Sequence, residues 1–287
     1  MNFNPAELAA CRSLVTLALA EDLGTTGDRT SLALLPADQH GRAAFVARSG
    51  GSIAGLDAAA MVCASVSPAL TFIPLVADGT RAAPGQTIAT VSGPLRQILA
   101  AERTALNFLQ RLCGVATLTR KYVDAVAGTK AQVLDTRKTT PGWRLLEKYA
   151  VRAGGGTNHR VGLYDAILIK DNHIAGVGDV RVAVERARAY PGNAGLAVEV
   201  EVDTLAQLDR VLPAFPEIVL LDNMPPELLR EAVARRNAVS PATLLEASGG
   251  VNLTTIAAIA AAGVDRISVG AITHSATALD IALDDLA

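Results

Sequence analysis

The sequence is short of aromatic residues and of paired cysteines, and each shortage bears on the class of protein. Aromatic residues make up only 3% of the 287 residues, whereas half of all residues are apolar. A core of Ala, Val, Leu and Ile is common in α/β proteins, whose strands are covered by helices on both faces. The three cysteines lie far apart and form no CxxC pair. They therefore argue against a disulfide framework or a zinc site and favour a reducing compartment.

The sequence also lacks a strong net charge and a long apolar run. The formal net charge is −2, which gives no overall attraction for nucleic acid or an anionic membrane. No uncharged apolar run reaches the roughly 18 residues needed to cross a bilayer, and the N-terminus lacks a signal-peptide layout. We therefore expect a soluble cytoplasmic protein without nucleic-acid or membrane partners, in which recognition of anions is local.

The first part of the chain predicts a small domain of helices and short strands. Residues 6–22 predict an amphipathic helix, and short strands bounded by Gly, Pro and Asp-Gly signals follow from residue 42. Residues 94–112 predict a helix with Pro94 in its first turn. Gly114 is expected to end this helix before a second one over residues 116–127.

From residue 131 onward, short apolar strands alternate with helices. Strands are predicted at 131–135, 165–170, 196–202, 217–222, 243–248 and 266–270. Helices are predicted at about 143–152, 179–190, 204–212, 225–236 and 254–262. This alternation indicates a parallel sheet with right-handed crossovers. Six strands are too few for a standard barrel, so a reduced barrel and an open doubly wound sheet both remain possible. The absence of a GxGxxG at the first βα turn weakens a dinucleotide-binding interpretation.

Polar residues and glycines follow the ends of all six predicted strands. In strand order they are Arg137 and Lys138, then Lys170, then Glu199 and Glu201, then Asp222, then Ser248-Gly249-Gly250, and finally Gly270. In barrels and open parallel sheets, active sites lie at the carboxyl ends of the strands. The pattern therefore predicts one shared active site.

The segment 135–173 concentrates the cations of the chain. Arg137, Lys138, His159 and Arg160 can pair with carboxylates, and the guanidiniums can do so bidentately. Lys170 ends an apolar strand and is either a Schiff-base nucleophile or a phosphate-binding cation. Together these residue types predict a pocket for a small, heavily anionic substrate.

The downstream residues predict a metal site and a phosphate site. Glu201 and Asp222 on neighbouring strands can share a Mg²⁺ ion. Strand alternation puts Glu199 on the same face as Glu201, so the pattern does not choose between them. The glycine-rich loops SGGVN and SVGA resemble the paired phosphate-binding loops of barrels. His274 either lines this site or caps the next helix.

Seven separated motifs resemble one known family. They are DTRKTTPG, KYAVRAGGGTNHR, LIKDNH, EVEVD, LLDN, EASGGVN and SVGAITHS. In this order they resemble the quinolinate phosphoribosyltransferase family, and EDLGTTGDRTS and AERTALNFLQRLCGVAT extend the likeness over nearly the whole chain. Ala247 stands where the family usually has a serine, and Ser248 and both glycines are kept.

The resemblance implies a fold and a reaction. The expected fold is an N-terminal α/β sandwich domain (residues 1–113) joined to a C-terminal incomplete (β/α) barrel (114–274), with a helix over 275–287 packing back on the first domain. The expected reaction joins quinolinate and phosphoribosyl pyrophosphate, with Mg²⁺ and no organic cofactor. Its products are nicotinate mononucleotide, pyrophosphate and CO₂, in NAD biosynthesis.

The resemblance also implies roles for individual residues. Arg137, Lys138, His159 and Arg160 would bind the quinolinate carboxylates. The remaining expected substrate contacts are Thr136, Lys170, Glu201, Asp222, Ser248, Gly249, Gly250, Val269 and Gly270. Of these, Lys170, Glu201 and Asp222 would face the phosphoribosyl pyrophosphate and its metal, with Glu201 and Asp222 as metal ligands.

The resemblance changes the interpretation of Arg103. The sequence alone favours a solvated pair with Glu102, because surface charges usually have no specific role. In the family, the matching arginine would reach the dicarboxylate from the partner subunit of a homodimer, which could assemble further. Two other functions stay open: a related phosphoribosyltransferase acting on another ring, and a barrel lyase that uses Lys170 as a Schiff base.

Overall fold

A computed structural model describes residues 2–193 and 195–285. The chain forms two compact units. The first contains the residues up to Arg120, Thr139–Gly155 and the residues from Ile272 onward, and the second contains Lys121–Lys138 and Gly156–Ala271. The first unit is thus assembled from three segments of the chain.

The described elements are numbered in chain order. The helices are α1 (Pro5–Leu23), α2 (Arg29–Leu34), α3 (Leu56–Val66), α4 (Leu95–Ala125), α5 (Arg144–Ala153), α6 (Asp171–Val177), α7 (Val180–Ala189), α8 (Leu205–Val211), α9 (Pro226–Val239), α10 (Ile256–Ala261) and α11 (Ala271–His274). The strands are β1 (His40–Ala47), β2 (Gly51–Ser52), β3 (Thr71–Pro74), β4 (Arg81–Ala82), β5 (Thr87–Pro94), β6 (Gln132–Leu134), β7 (Ile167–Ile169), β8 (Val198–Val202), β9 (Ile218–Asp222), β10 (Leu244–Ser248), β11 (Arg266–Ser268) and β12 (Ile281–Asp285). A 3₁₀ turn covers Leu212–Ala214. No helix in the described ranges is long and apolar enough to cross a membrane.

The first unit is built on a four-stranded antiparallel sheet in the order β12-β1-β5-β3. The prediction of a helix over 275–287 is wrong for the described part of that segment, because Ile281–Asp285 forms a strand that pairs with β1. The physical reason is the free edge of β1, whose backbone N–H and C=O groups require partners. Residues 286–287 lie outside the described residues.

The predicted helix break at Gly114 is also wrong, since α4 runs without interruption from Leu95 to Ala125. A Cβ atom at Gly114 would lie 2.2 Å from the carbonyl oxygen of Thr277. The glycine therefore permits a close backbone contact and does not end the helix.

The second unit contains a six-stranded parallel sheet in the order β7-β8-β9-β10-β11-β6. Strands successive in the chain are neighbours, and the first strand, β6, lies beside the last, β11. A doubly wound sheet would instead reverse its strand order. The order is that of a barrel left open between β6 and β7, which confirms the expected fold class.

The chain after α5 returns to the open edge of β6. The amide of Thr157 donates to the carbonyl of Val133 (2.8 Å), and the amide of Asp135 donates to the carbonyl of Thr157 (3.2 Å). These bonds form a parallel bridge between Leu134 and Thr157. The bridge places the next residues of the chain, 158–160, at the opening of the barrel.

On β8 and β10, an apolar outer face alternates with a polar inner face. On β8, Val198, Val200 and Val202 are buried, and Glu199 and Glu201 alternate with them. The same period of two on β10 places Glu246 and Ser248 on one face. The interior of this barrel therefore carries charged groups beside apolar side chains such as Leu168 and Leu220, whereas most barrels are filled by apolar layers.

Asp265 ties the start of β11 to its neighbours. Its carboxylate accepts hydrogen bonds from the amide of Leu245 (2.9 Å), from Arg236 (2.8 Å) and from Lys130 (2.5 Å). Burial alone would raise the pKa of this carboxyl, but the three donors outweigh burial and lower the pKa below its ordinary value of 3.8. Asp265 is thus held ionised at the end of the barrel opposite the predicted site.

Candidate active site at the carboxyl ends of the barrel strands

A cavity of about 350 Å³ opens at the carboxyl ends of the barrel strands. The sequence-predicted residues that line it are Thr136, Arg137, Lys138, His159, Arg160, Lys170, Glu201, Asp222 and Ser248. Because they come from six separate stretches of the chain, only the parallel topology brings them together.

The other sequence-predicted residues lie elsewhere. Gly249 and Gly250 line a neighbouring cavity of about 370 Å³. Val269 is buried, and its amide donates to the carbonyl of Leu134 (2.9 Å). Gly270 follows β11, whose last residue, Ser268, does line the first cavity. Arg103 is exposed on α4 in the first unit.

Gly249 is required by its backbone and by its neighbour. Its φ angle is +90°, a value that L side chains rarely adopt, and a Cβ atom there would lie 2.2 Å from Oδ1 of Asn223. The amide of Asn223 donates to the carbonyl of Ser248 (2.9 Å). The glycine thus allows the loops after β9 and β10 to meet.

The cationic wall of the cavity is formed by Arg137, Lys138 and Arg160. Burial lowers the pKa of Arg160, and the nearby charge of Arg137 lowers it further. Two guanidiniums held close enough to oppose each other's charge favour a bound dianion, which would relieve the repulsion.

Asp135 is a residue of this site that the sequence reasoning missed. It is completely buried. Its Oδ1 accepts from the amide of His159 (2.8 Å), and its Oδ2 accepts from Nδ2 of Asn158 (2.6 Å). Asp135 therefore fixes the segment that carries Arg160. The available signal was its position, since it directly follows β6 at the edge where the other polar residues cluster.

Lys170 and Glu201 form an ion pair across the cavity. The amide of Lys170 donates to Nδ1 of His173 (2.9 Å), so His173 caps the start of α6 and holds the end of the preceding strand. Asp222 ends the neighbouring strand β9. The cavity thus has an acidic pair, Glu201 and Asp222, close to one lysine.

The structure separates Glu199 from Glu201 by depth. Two residues along a strand correspond to about 6–7 Å. Glu201 lines the cavity, whereas Glu199 is only 2% exposed and lies deeper, against His159. Of the two carboxylates, only Glu201 is therefore placed to meet a substrate in this cavity.

The floor of the cavity is formed by part of a group of four residues that we call the interior charge layer: His159 and Glu246, which line the cavity, and Glu199 and Arg266, which lie deeper. Nε2 of His159 lies 3.2 Å from Glu199 and 3.3 Å from Glu246, and Nε of Arg266 lies 2.7 Å from Glu246. Burial by itself lowers the pKa of His159, but the two carboxylates outweigh burial and raise it. The sequence reasoning also missed Glu246. Its spacing of two residues from Ser248 on β10 could have placed it on the same face of the strand.

His159, Glu199 and Glu246 are also close enough together to hold a metal ion. The guanidinium of Arg266 beside Glu246 disfavours a second cation there. The oxygen-only pair Glu201 and Asp222 is the set that suits Mg²⁺, which prefers carboxylates combined with phosphate oxygens.

The fold and the cavity define a class of protein: an incomplete-barrel enzyme whose site sets clustered cations against two acidic strand ends. Comparison with known proteins agrees. The family description "Quinolinate phosphoribosyl transferase, C-terminal domain" matches residues 115–284, and the corresponding N-terminal domain matches residues 28–113. The chain belongs to the quinolinate phosphoribosyl transferase family.

Individual relatives match over nearly their full lengths. The chain is 48% identical to the nicotinate-nucleotide pyrophosphorylase [carboxylating] of Mycobacterium leprae, over 97% of this chain and 98% of that protein. It is 41% identical to the probable enzyme of the same name from Bacillus subtilis, over 95% and 92%. The solved nicotinate-nucleotide pyrophosphorylase of Francisella tularensis superimposes with a TM-score of 0.91 at 40% identity, over 99% and 98%.

Proposed function

We propose that this protein transfers the phosphoribosyl group of phosphoribosyl pyrophosphate to the ring nitrogen of quinolinate and releases CO₂. The products are nicotinate mononucleotide, pyrophosphate and CO₂, in NAD biosynthesis. The observation that carries the proposal is the single cavity in which three cationic residues, Arg137, Lys138 and Arg160, face the acidic strand ends Glu201 and Asp222. Both proposed substrates are anionic, and of the two only phosphoribosyl pyrophosphate is proposed to bind with a metal ion.

The cationic wall is proposed to bind the two adjacent carboxylates of quinolinate. Arg137 and Arg160 can each hold a carboxylate bidentately, and Lys138 adds a point charge. His159 lines the cavity next to Arg160. Because the guanidiniums repel each other in the free protein, the dianion gains more from binding than a monocarboxylate would.

The opposite side of the cavity is proposed to hold the phosphoribosyl donor. Lys170 can pair with a phosphate once it leaves Glu201. The segment Ser248–Gly250 and Gly270 would hold the 5′-phosphate, because glycine-rich loops expose backbone N–H groups to phosphate oxygens. Val269, whose own amide donates to Leu134, would place Gly270. Thr136 would complete the contacts. Its hydroxyl accepts from the amide of Lys138 (3.1 Å), which shapes the intervening turn.

Glu201 and Asp222 are proposed as ligands of a Mg²⁺ ion. When bound, this ion would neutralise charge on the departing pyrophosphate. The two carboxylates would also face the positive charge that develops on the ribose as pyrophosphate leaves. We propose no organic cofactor. Loss of the 2-carboxylate leaves an electron pair beside the quaternised ring nitrogen, so the substrate provides its own electron sink.

The test is the release of labelled CO₂ from quinolinate carrying ¹⁴C in its 2-carboxylate. We expect release only when phosphoribosyl pyrophosphate and Mg²⁺ are both present, with one nicotinate mononucleotide formed per CO₂. Folded protein that releases no CO₂ under these conditions would refute the proposal. Activity with another ring acid alone would favour a related phosphoribosyltransferase.

A Schiff-base lyase is the alternative use of Lys170. The ion pair between Lys170 and Glu201 argues against it, because the amine is already engaged by a carboxylate in the cavity. Borohydride reduction in the presence of substrate distinguishes the two, since covalent labelling of Lys170 would support the lyase.

We further propose a cytoplasmic homodimer in which Arg103 reaches the quinolinate of the partner subunit. Arg103 is exposed on α4, in a unit separate from the cavity. Mixing an inactive Arg103→Ala variant with an inactive Lys170→Ala variant tests this. Recovery of about a quarter of wild-type activity is expected if each site draws one residue from each chain, and no recovery would contradict it.

A further inference from the structure

The interior charge layer lies between the candidate active site and a second cavity of about 350 Å³. The second cavity is lined by residues at the amino ends of the strands, among them Ala197, Ile218 and Arg266. His159 and Arg160 line both cavities. Contacts that fix His159 from inside the barrel therefore also affect Arg160, which lines the candidate active site.

Both ring nitrogens of His159 face protein atoms. Nδ1 accepts from the amide of Arg160 (2.7 Å), and Nε2 faces the carboxylates of Glu199 and Glu246 at 3.2 and 3.3 Å. Nε2 carries a ring proton that points at the two carboxylates. In this arrangement both nitrogens are engaged by protein atoms, although the ring lines the candidate active site.

We propose that Glu199, Glu246 and His159 are positioning residues for Arg160, and that His159 is not itself a ligand of the quinolinate carboxylates. The carboxylates hold the imidazole from below, and the imidazole holds the backbone amide of Arg160. This inference rests on the proposed quinolinate subsite. It means that the buried carboxylates of Glu199 and Glu246 influence the affinity of that subsite for quinolinate.

The two carboxylates that contact His159 are buried, which restricts their movement. Glu246 is completely buried and Glu199 is 2% exposed. Oε1 of Glu199 and both carboxylate oxygens of Glu246 have no hydrogen-bond partner among the described residues, so the two carboxylates act on His159 mainly through their charge, at 3.2 and 3.3 Å. Arg266 beside Glu246 keeps that carboxylate ionised, since burial alone would raise its pKa while His159 and Arg266 lower it.

The first measurement uses Glu246→Gln and Glu199→Gln in the full-length protein. Each is expected to weaken quinolinate binding about tenfold in equilibrium dialysis, with less than a twofold change in the KM for phosphoribosyl pyrophosphate. The matched control is Glu217→Gln. Glu217 also lies at the amino end of a strand and bonds a backbone amide, that of Val198 (2.9 Å), but it lies outside both cavities. The control should bind both substrates as the wild type does.

The second measurement asks whether the effect passes through Arg160. In an Arg160→Ala background, Glu246→Gln should change quinolinate affinity by less than twofold, because the residue that it positions is gone. The inference is overturned if Glu246→Gln weakens quinolinate binding by the same factor in the Arg160→Ala background as in the wild type. It is also overturned if Glu246→Gln alone leaves quinolinate binding unchanged or tighter. A direct contact between His159 and substrate predicts that His159→Gln still weakens binding in the Arg160→Ala background.

Folding failure and failure of the proposed function can be told apart from these outcomes. If Glu246→Gln does not fold, Glu199→Gln and His159→Gln give the same test. His159→Gln keeps a donor toward the carboxylates and loses the acceptor at Nδ1. A wild-type protein that binds no quinolinate refutes the proposed function and this inference together. An active wild type with unaffected layer variants refutes this inference alone.

Discussion

The substitution Asp135→Asn tests how the site is held, because it changes one oxygen of a buried carboxylate and little else. Asp135 accepts from the amide of His159 and from Nδ2 of Asn158. An asparagine can accept from only one of them and turns its NH₂ group toward the other donor. One charge-assisted hydrogen bond, worth about 1.5–3 kcal/mol, is therefore lost in a fully buried place.

This cost is expected to appear in both stability and affinity. We expect the free energy of unfolding to fall by about 2 kcal/mol, which corresponds to a melting temperature lower by about 4–8 °C for units of this size. Quinolinate affinity should fall by about 10- to 100-fold, because the loosened segment carries Arg160. Urea unfolding followed by circular dichroism and quinolinate binding by equilibrium dialysis measure the two effects.

A matched control and a swap make the result interpretable. Asp209→Asn removes an exposed carboxylate paired with Arg235 and should change stability by less than about 0.5 kcal/mol. The double variant Asp135→Asn with Asn158→Asp restores a donor and an acceptor between the two side chains and should recover part of both losses. An Asp135→Asn variant with wild-type stability and wild-type quinolinate affinity would refute the reasoning.

Three further predictions concern other parts of the barrel. Lys170→Met should raise the KM for phosphoribosyl pyrophosphate at least tenfold and change quinolinate binding much less, whereas equal losses would contradict the division of roles. Gly249→Ala should destabilise the fold by about 1–3 kcal/mol, because its φ of +90° and the contact with Asn223 leave no room for a methyl group; unchanged urea unfolding would argue against that geometry. The folded state lowers the pKa of Asp265, so as pH falls the unfolded chain binds the proton first. The stabilisation that ionised Asp265 gives the fold is therefore present above pH 3.8, the ordinary pKa, and is lost as pH falls through the lower folded pKa. Asp265→Asn should therefore unfold more easily than the wild type at pH 7, and a difference that did not shrink in acid would contradict this.

The strands of the barrel could be predicted because they bury apolar side chains in a simple alternation with helices. All six were expected within two residues of their observed ends. The strand at the end of the chain could not be predicted, because Ile281–Asp285 is defined by the edge of β1, more than 230 residues earlier in the chain. The long helix α4 was divided wrongly at Gly114 for a similar reason: the contact that requires glycine there is made with a distant segment, at Thr277.

The exposed part of the site could be predicted better than the buried part. Residues at the carboxyl ends of strands, such as Lys170, Glu201 and Asp222, are marked by position alone. Asp135 and Glu246 escaped notice because each looks like an ordinary charged residue beside or within a strand. Their importance depends on complete burial against His159 and its neighbours.

By itself, the sequence determined the order of the barrel strands, the cationic segment and the family, because these depend on local periodicity and on residue identity. The tertiary structure decided which polar side chains meet. It placed Glu201 at the cavity and Glu199 in the layer below, although both have the same strand phase. It also turned His159 toward buried carboxylates. Depth along a strand and the direction of a ring are set by contacts between distant segments, which no local pattern encodes.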